Sequence, residues 1–236
     1  ILAVTGIRNF YLWLTQFQKK WIYAAAPVLL VLLFLPFKHQ AMTFPADYIY
    51  FNAISGGNKN AWANFEYDYY FHGIKEPANQ LIDIVGDSKV KVAMNCNLSN
   101  YFDDFNNIEV IYTRYLERSS KDWDYGIFGI NYIHPYLLKN NKWQARGAID
   151  TFFHKGNPMA VIVKRETKND FHGISKVQEG NYNAGEELLL SALKNDPDNI
   201  WLYVNLAKSN LLQDDEENFL YYLKTGQEKF PYYEPF

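Results

Sequence analysis

Three short apolar segments decide the fold of this chain: KVKVAMN (residues 89–95), IEVIYTRY (108–115) and DYGIFGI (124–130). Their length and their β-branched and aromatic residues predict three strands. Residues 77–85, before the first segment, and 98–105, after it, have the three- and four-residue apolar spacing of helices. Because strands that alternate with helices form sheets covered on both faces, we expect a largely parallel sheet.

A hairpin is predicted at the end of the same domain. Residues 148–153 and 160–165 are strand-like and flank Gly156-Asn157-Pro158, which is a turn sequence. Residues 132–143 are expected to form a further helix. Together these predictions define a mixed α/β domain over residues 76–165.

The α/β domain offers few groups for catalysis. It has no glycine-rich phosphate loop, and no histidines of the chain stand at metal-ligand spacing, so we expect no metal site. Two carboxylate pairs, Asp103-Asp104 and Asp122/Asp124, are candidate acid–base groups, but both fall in predicted solvated loops. The one cysteine, Cys96, excludes an internal disulfide, and we expect a buried, inert thiol. The sequence therefore indicates a structural role for this domain.

Residues 166–236 have the pattern of two helical repeats. The stretch GNYNAGEELLLSALKNDPDN covers residues 180–199, and Pro231 follows Pro197 by 34 residues. This resembles two tetratricopeptide (TPR) repeats, over residues 166–199 and 200–236. In phase with that period stand the small residues expected where paired helices approach closely: Gly173, Ala192, Ala207 and Gly226. Such repeats form either a structural cap or a protein-binding groove, and the resemblance implies no catalytic chemistry for them.

A transmembrane helix is predicted near the start of the chain. Residues 21–37 read WIYAAAPVLLVLLFLPF, an uncharged run bounded by Lys19-Lys20 and Lys38, and we place the helix at residues 21–38. A buried helix of a soluble protein is the alternative. More positive charges precede the run than follow it, which predicts residues 1–20 in the cytoplasm or at the interface and the later domains outside. We expect a bacterial inner membrane, with the C-terminal domain on the periplasmic side.

Composition narrows the possible partners. The net charge is −3 and 21% of residues are charged, whereas a nucleic-acid-binding protein normally has a basic excess, so no nucleic-acid partner is expected. Aromatic residues make up 18% of the chain, which suits a membrane interface, a surface for stacking sugars or a well-filled core. The chain begins with Ile1 rather than methionine, which leads us to expect a longer protein.

The segment after the predicted span has a recognisable pattern. Residues 46–57 read ADYIYFNAISGG, residues 65–70 read FEYDYY, and Lys75-Glu76 follow. This resembles the segment after the last transmembrane helix of multi-spanning glycosyltransferases related to protein O-mannosyltransferases and aminoarabinose transferases. The likeness covers roughly residues 20–165. It departs from the pattern at Tyr70, where tryptophan is common, and at Phe71, where glycine is common.

The resemblance implies transfer of a sugar from a polyprenyl-phosphate donor to a protein or lipid acceptor. The family's catalytic acid lies in the first extracytoplasmic loop, so it is expected outside this chain. Residues 39–75 would form an interfacial aromatic segment, and the substrate-proximal candidates are Tyr50, Asn52, Asp68 and Tyr69. The alternative is that these residues only shape a turn at the membrane surface. A second class of function also stays open: a non-enzymatic, single-span TPR scaffold subunit of a cell-envelope complex.

Overall fold

The computed structural model describes residues 2–16, 27, 30–31, 33–34, 37–38, 40–41, 49, 51, 56–143 and 147–233. The chain divides into two compact units, residues 1–50 and 51–236, and each is described by itself. In the first unit, helix α1 spans Leu2–Thr15, with exposed side chains at Tyr11, Leu12 and Trp13. Within the residues described, no helix is both long enough and apolar enough to cross a membrane.

Some sequence predictions fall outside the described residues. They include most of the predicted transmembrane helix at 21–38 and two of the substrate-proximal candidates, Tyr50 and Asn52. In the predicted interfacial segment, the described part contains helix α2 (Gly57–Ala61) and a 3-10 turn (His72–Ile74). The membrane helix and its orientation therefore stay predictions.

The second unit is built on a mixed five-stranded sheet. Its strands are β1 (Val90–Met94), β2 (Ile108–Tyr112), β3 (Tyr125–Gly129), β4 (Ala148–His154) and β5 (Asn157–Lys164). They lie in the order β2-β1-β3-β5-β4. Strands β2, β1 and β3 are parallel, whereas β5 runs antiparallel to both of its neighbours, β3 and β4. The expected largely parallel sheet is thus found for three strands, and the sheet as a whole is mixed.

The mixed character comes from the predicted hairpin. The chain reverses between β4 and β5 at Lys155 and Gly156, whose φ angles of 50° and 79° are those of a tight turn that matches the strand twist. Both β3 and β4 are antiparallel to β5, so they run in the same direction. The returning strand β5 fills the place between them, which breaks the run of parallel neighbours.

One face of the sheet is covered by helix α3 (Lys75–Val85). Its buried face, which includes Ala78 and Leu81, packs with Met94, Ile127 and Ile162 of the central strands.

Two of the helices predicted from apolar spacing are shorter in the structure than expected. The helix expected over 98–105 is a 3-10 turn at Ser99–Phe102, and the one expected over 132–143 is the short α4 (Pro135–Lys139). Proline fixes the start of α4, and Asn141 at φ 53° lies just beyond its end.

Four helices complete the second unit. They are α5 (Asn169–Gln178), α6 (Tyr182–Asn195), α7 (Ile200–Leu211) and α8 (Glu216–Lys229). Helices α5, α6 and α7 share an apolar cluster formed by Ile174, Val177, Leu189, Ala192, Leu202 and Leu206, and Tyr222 of α8 packs against it. A Cβ placed on Gly173 would lie 2.8 Å from Leu189 Cγ, which explains a glycine at this contact between α5 and α6. Helices α6 and α8 begin at residues 182 and 216, the predicted interval, and the assignment to TPR repeats stays a prediction.

Polar contacts join these helices to the α/β domain. Arg118, which is almost fully buried, pairs with Asp196 at 2.5 Å between Nη2 and Oδ2. Asn199 Nδ2 donates to Ser119 Oγ at 2.8 Å, and that hydroxyl donates to Asp170 Oδ2 at 2.8 Å. Because buried polar groups are costly unless they are paired, these contacts hold the helices in one position against the sheet.

The C-terminal residues return to the α/β domain. Phe230 is fully buried, and the Tyr232 ring stacks on His134 with 3.7 Å between centroids and 2° between planes. Lys142 Nζ donates to the carbonyl oxygen of Lys229 at 3.3 Å. Residues 229–232 therefore lie near the segment that follows strand β3.

Replacing Arg118 by alanine should destabilise the protein by about 3 kcal/mol, because Asp196 then keeps a partly buried charge without its partner. The matched control is Arg114→Ala, since Arg114 makes an exposed pair with Glu117 at 3.4 Å and should contribute under about 1 kcal/mol. Urea unfolding of both variants measures the two free energies. Equal losses in the two variants would contradict the role assigned to Arg118.

Candidate functional site

The parallel strands bring three chain segments together at one edge of the sheet. Asn95 follows β1, Thr113 follows β2, and Ile130 follows β3, all at the carboxyl ends of the strands. Strand β1 has β2 on one side and β3 on the other, so the chain changes direction across the sheet at this point. In open α/β sheets, ligands bind in the crevice that such a change of direction creates. The carboxyl end of the parallel strands is therefore a candidate binding site.

The Asn95 side chain joins β1 to β3 at this crevice. Its Oδ1 accepts from the Gly129 backbone N–H at 2.8 Å, and its Nδ2 donates to the Gly129 and Asn131 carbonyl oxygens at 2.8 and 2.9 Å. The residue is buried. Three hydrogen bonds from one buried amide fix the separation of the two strand ends, and they form a rigid floor to the space above.

A groove lies above this floor. It has a volume of about 590 Å³, and we call it the sheet-end groove; its lining residues are Phe71, Asn95, Cys96, Asn97, Leu98, Tyr112 and Tyr132. A recess of about 370 Å³ shares Asn95, Tyr112 and Tyr132 with the groove, so the two lie side by side. The recess is also lined by Arg114, Glu117 and Tyr233. Volumes of this size are typical of sites for small molecules.

Two aromatic residues of the groove have a strained backbone. Phe71 and Tyr132 have φ angles of 56° and 61°, in the left-handed region that costs a side chain about 1–2 kcal/mol. Their ring centroids lie 6.1 Å apart. The Tyr132 side chain is 78% exposed and Tyr112 is 55% exposed, so core packing does not account for their positions. Backbone strain of this kind concentrates at functional sites.

Asp68, one of the substrate-proximal candidates, positions the groove without lining it. It is buried, its Oδ1 accepts from the His72 N–H at 3.0 Å, and its Oδ2 accepts from the Gly73 N–H at 2.8 Å. The Asp68 carbonyl oxygen accepts hydrogen bonds from the Phe71 N–H and from the Asn131 side chain. The carboxylate thus holds the turn from which the Phe71 ring enters the groove.

The other candidates have different positions. Tyr69 is 62% exposed and makes an edge contact with Tyr70 at 5.1 Å between ring centroids, and it is not among the groove-lining residues. Tyr50 and Asn52 lie outside the described residues. The described candidates therefore do not meet in one place: Asp68 acts behind the groove, and Tyr69 stands at the surface.

The thiol in the groove is held in its neutral form. Burial raises the pKa of Cys96 to about 12, and the negative charge of Asp68 acts in the same direction. At neutral pH the thiolate that a nucleophile requires is therefore scarce. This agrees with the inert thiol expected from the sequence and leaves the groove lining without a charge at this position.

The carboxylate pair Asp122/Asp124 is an ion-pair cluster. Lys168 Nζ contacts Asp122 at 2.6 Å and Asp124 at 2.8 Å, and Lys91 contacts Asp122 at 2.8 Å. Hydrogen bonds from Lys168 and then Lys91 lower the pKa of Asp122 to about 2. A carboxyl with this pKa stays ionised near neutral pH and is a poor general acid. Within the described ranges, no three histidine, cysteine or acidic side chains are grouped as metal ligands.

Sequence reasoning missed the aromatic lining of the groove. Tyr112 falls inside a predicted strand and Tyr132 at the start of a predicted helix, and neither prediction assigns the residue to a site. The available signal was that both follow or end strands expected to be parallel, where ligand sites form. The strand order and the left-handed backbone at Phe71 and Tyr132 were needed to show that the rings share one cavity.

Replacing Asp68 by alanine should lower the free energy of unfolding by about 3 kcal/mol, because two backbone N–H groups lose their charged acceptor in a buried place. Asp83→Ala is the control, since Asp83 is exposed on helix α3 and should change stability by under about 0.5 kcal/mol. Thermal and urea unfolding measure both. A stable Asp68→Ala variant would show that the turn does not depend on this carboxylate.

Comparisons with known protein families, with curated proteins and with solved structures found no match to this chain. Function is therefore inferred from the residues and their geometry, together with the resemblance of the segment that precedes the α/β domain.

Proposed function

We propose that this chain is the C-terminal part of an integral-membrane glycosyltransferase. The enzyme would transfer a sugar from a polyprenyl-phosphate donor to a protein or lipid acceptor outside the cytoplasm. The predicted span anchors this part of the protein, and the catalytic acid lies upstream of Ile1. In this proposal the second unit contributes binding and positioning, because its groove is lined by aromatic and amide side chains rather than by paired carboxylates.

One observation carries the proposal: the described part of the segment that resembles the glycosyltransferases, from residue 56 onward, packs against the α/β domain. Trp62 Nε1 donates to the Pro158 carbonyl oxygen at 3.0 Å, and Asn157 Nδ2 donates to the Tyr67 hydroxyl at 3.1 Å. Asp68 adds the buried contacts described above. Since both β5 contacts involve the first residues of that strand, the segment packs at the edge where β3 ends. These contacts make residues 62–73 of that segment part of the second unit, which supports the proposal.

The groove opens on the edge by which the chain enters the second unit. Phe51, at the start of this unit, stacks on Tyr67 with 5.8 Å between centroids, and its N–H donates to Asn58 Oδ1 at 3.1 Å. Phe71 follows within the same segment and lines the groove. Phe51 therefore packs on the same segment that supplies Phe71 to the groove.

A second candidate function comes from the four C-terminal helices. Helices α7 and α8 and the turn between them carry exposed apolar residues, each with 48–60% of its surface accessible: Leu211, Leu212, Leu220 and Tyr221. Exposed apolar side chains at the end of a helical array favour contact with a protein partner. In this alternative the chain is a non-enzymatic, single-span TPR scaffold of a cell-envelope complex, and the glycosyltransferase proposal keeps the same surface for a partner.

Purification of the native protein from its own membranes separates the two functions. The glycosyltransferase proposal expects an intact mass more than twice the 27.7 kDa of this chain, with hydrophobic peptides upstream of Ile1. It also expects that membranes supplied with radiolabelled polyprenyl-phosphate mannose, glucose or aminoarabinose label an acceptor, and that deletion of the gene abolishes this labelling.

A mass near 27.7 kDa would overturn the glycosyltransferase proposal and support the scaffold. Labelling that is the same with and without the gene would also overturn it. The control is a strain in which the deleted gene is restored, because recovery of labelling excludes an indirect loss of the lipid-linked donor.

A further inference from the structure

We propose that the sheet-end groove binds a neutral oligosaccharide, with its sugar rings stacked on Tyr112 and Tyr132. This inference rests on the proposed function and names a ligand for a groove to which the resemblance assigns no role. The bound sugar would be part of the acceptor glycan. The groove would thus select or hold the acceptor, while the chemistry takes place elsewhere in the enzyme.

Two exposed tyrosine residues at the groove favour a sugar ligand. Tyr132 and Tyr112 present rings that are more than half exposed at the rim of a cavity of about 590 Å³. Sugar rings have apolar C–H faces that lie flat against aromatic rings, and a tyrosine hydroxyl remains available for hydrogen bonds to the sugar. Phe71 lies beside Tyr132 and extends the apolar surface into the groove.

The backbone at two of the groove residues is held in an unusual conformation. Phe71 and Tyr132 both adopt the left-handed conformation, and both side chains line the same groove. The Asp68 turn holds the first, and the hydrogen bonds of Asn95 and Asn131 fix the segment just before the second. The backbone that carries Phe71 and Tyr132 is therefore set in place before a ligand arrives, which reduces the ordering cost of binding.

The uncharged lining of the groove favours a neutral ligand. None of the seven residues that line the groove carries a charge at neutral pH, since the raised pKa of Cys96 keeps its thiol neutral. The exposed Asn97 supplies amide donors and an acceptor, which match sugar hydroxyls. A phosphate or carboxylate placed here would lose its hydration without a cation in the lining. A neutral, hydroxyl-rich chain fits this lining better than the phosphate of the donor lipid.

The adjoining recess indicates how long the ligand can be. Arg114 and Glu117 line it and pair with each other at 3.4 Å, which balances their charges. Because the recess continues the groove past Tyr112 and Tyr132, a chain of several sugars can follow the surface instead of ending at it. We therefore expect oligosaccharides to bind better than monosaccharides.

The test uses the purified full chain in a zwitterionic detergent that has no sugar head group. Isothermal titration with mannohexaose, cellohexaose and chitohexaose should find at least one ligand with a dissociation constant of roughly 1 mM or lower. Tyr112→Ala and Tyr132→Ala should each weaken that binding on the order of tenfold, which corresponds to about 1.4 kcal/mol for the loss of one stacked ring. Tyr132→Phe keeps the ring and should bind like the wild type.

Tyr221→Ala is the matched control, because Tyr221 is equally exposed but lies on helix α8, outside the groove lining. Its binding should be unchanged, and circular dichroism should show that all four variants are folded. The proposal is overturned if none of the three hexasaccharides binds, or if Tyr132→Ala binds as well as the wild type. It is also overturned if oligogalacturonate or a proline-rich decapeptide binds in their place.

Failure here is distinct from failure of the glycosyltransferase proposal. Loss of acceptor labelling in the gene deletion would still support the enzyme when no hexasaccharide binds, and only the assignment of the groove would then be lost. Conversely, a scaffold protein with a native mass near 27.7 kDa would leave the groove without an acceptor glycan to hold.

Discussion

The Asn95 side chain is the contact on which the binding edge of this protein depends. It ties Gly129 to the end of β1 by hydrogen bonds in both directions and also holds the carbonyl oxygen of Asn131. The Asn131 side chain in turn donates to Asp68, and Asp68 accepts from Gly73. A continuous set of buried hydrogen bonds therefore runs from the sheet to the preceding segment. Because each partner loses water on burial, each member depends on the others.

This network gives different roles to the polar and the aromatic residues. Asp68 and Asn95 shape the edge and stay buried, whereas Tyr112 and Tyr132 face the open space. A polar residue singled out by sequence pattern can therefore act by positioning the backbone instead of touching a substrate. The segment around Asp68 supplies one ring to the groove lining, that of Phe71, whereas the Asp68 carboxylate acts only on the backbone of the turn.

Periodicity predicted the elements well where the local pattern agrees with the packing. The three parallel strands lie within the predicted segments, and Gly156 marked the hairpin. The predicted helix at 98–105 is wrong, because that connection between β1 and β2 forms only a 3-10 turn at Ser99–Phe102. The groove could not be predicted, since it needs the strand order and positive φ angles at Tyr132 and Phe71, and neither residue type signals a left-handed backbone. The predicted span lies largely beyond the described residues.

Amide hydrogen exchange at Gly129 tests most directly the claim that the groove has a rigid, preformed floor. The Gly129 N–H donates to the buried Asn95 side chain instead of to a neighbouring strand. If the side chain holds β1 and β3 together as described, Gly129 should exchange as slowly as Ile127 in the middle of β3, through global unfolding only. Exchange at Gly129 that is orders of magnitude faster than at Ile127 would mean that this edge opens on its own, and it would contradict the account.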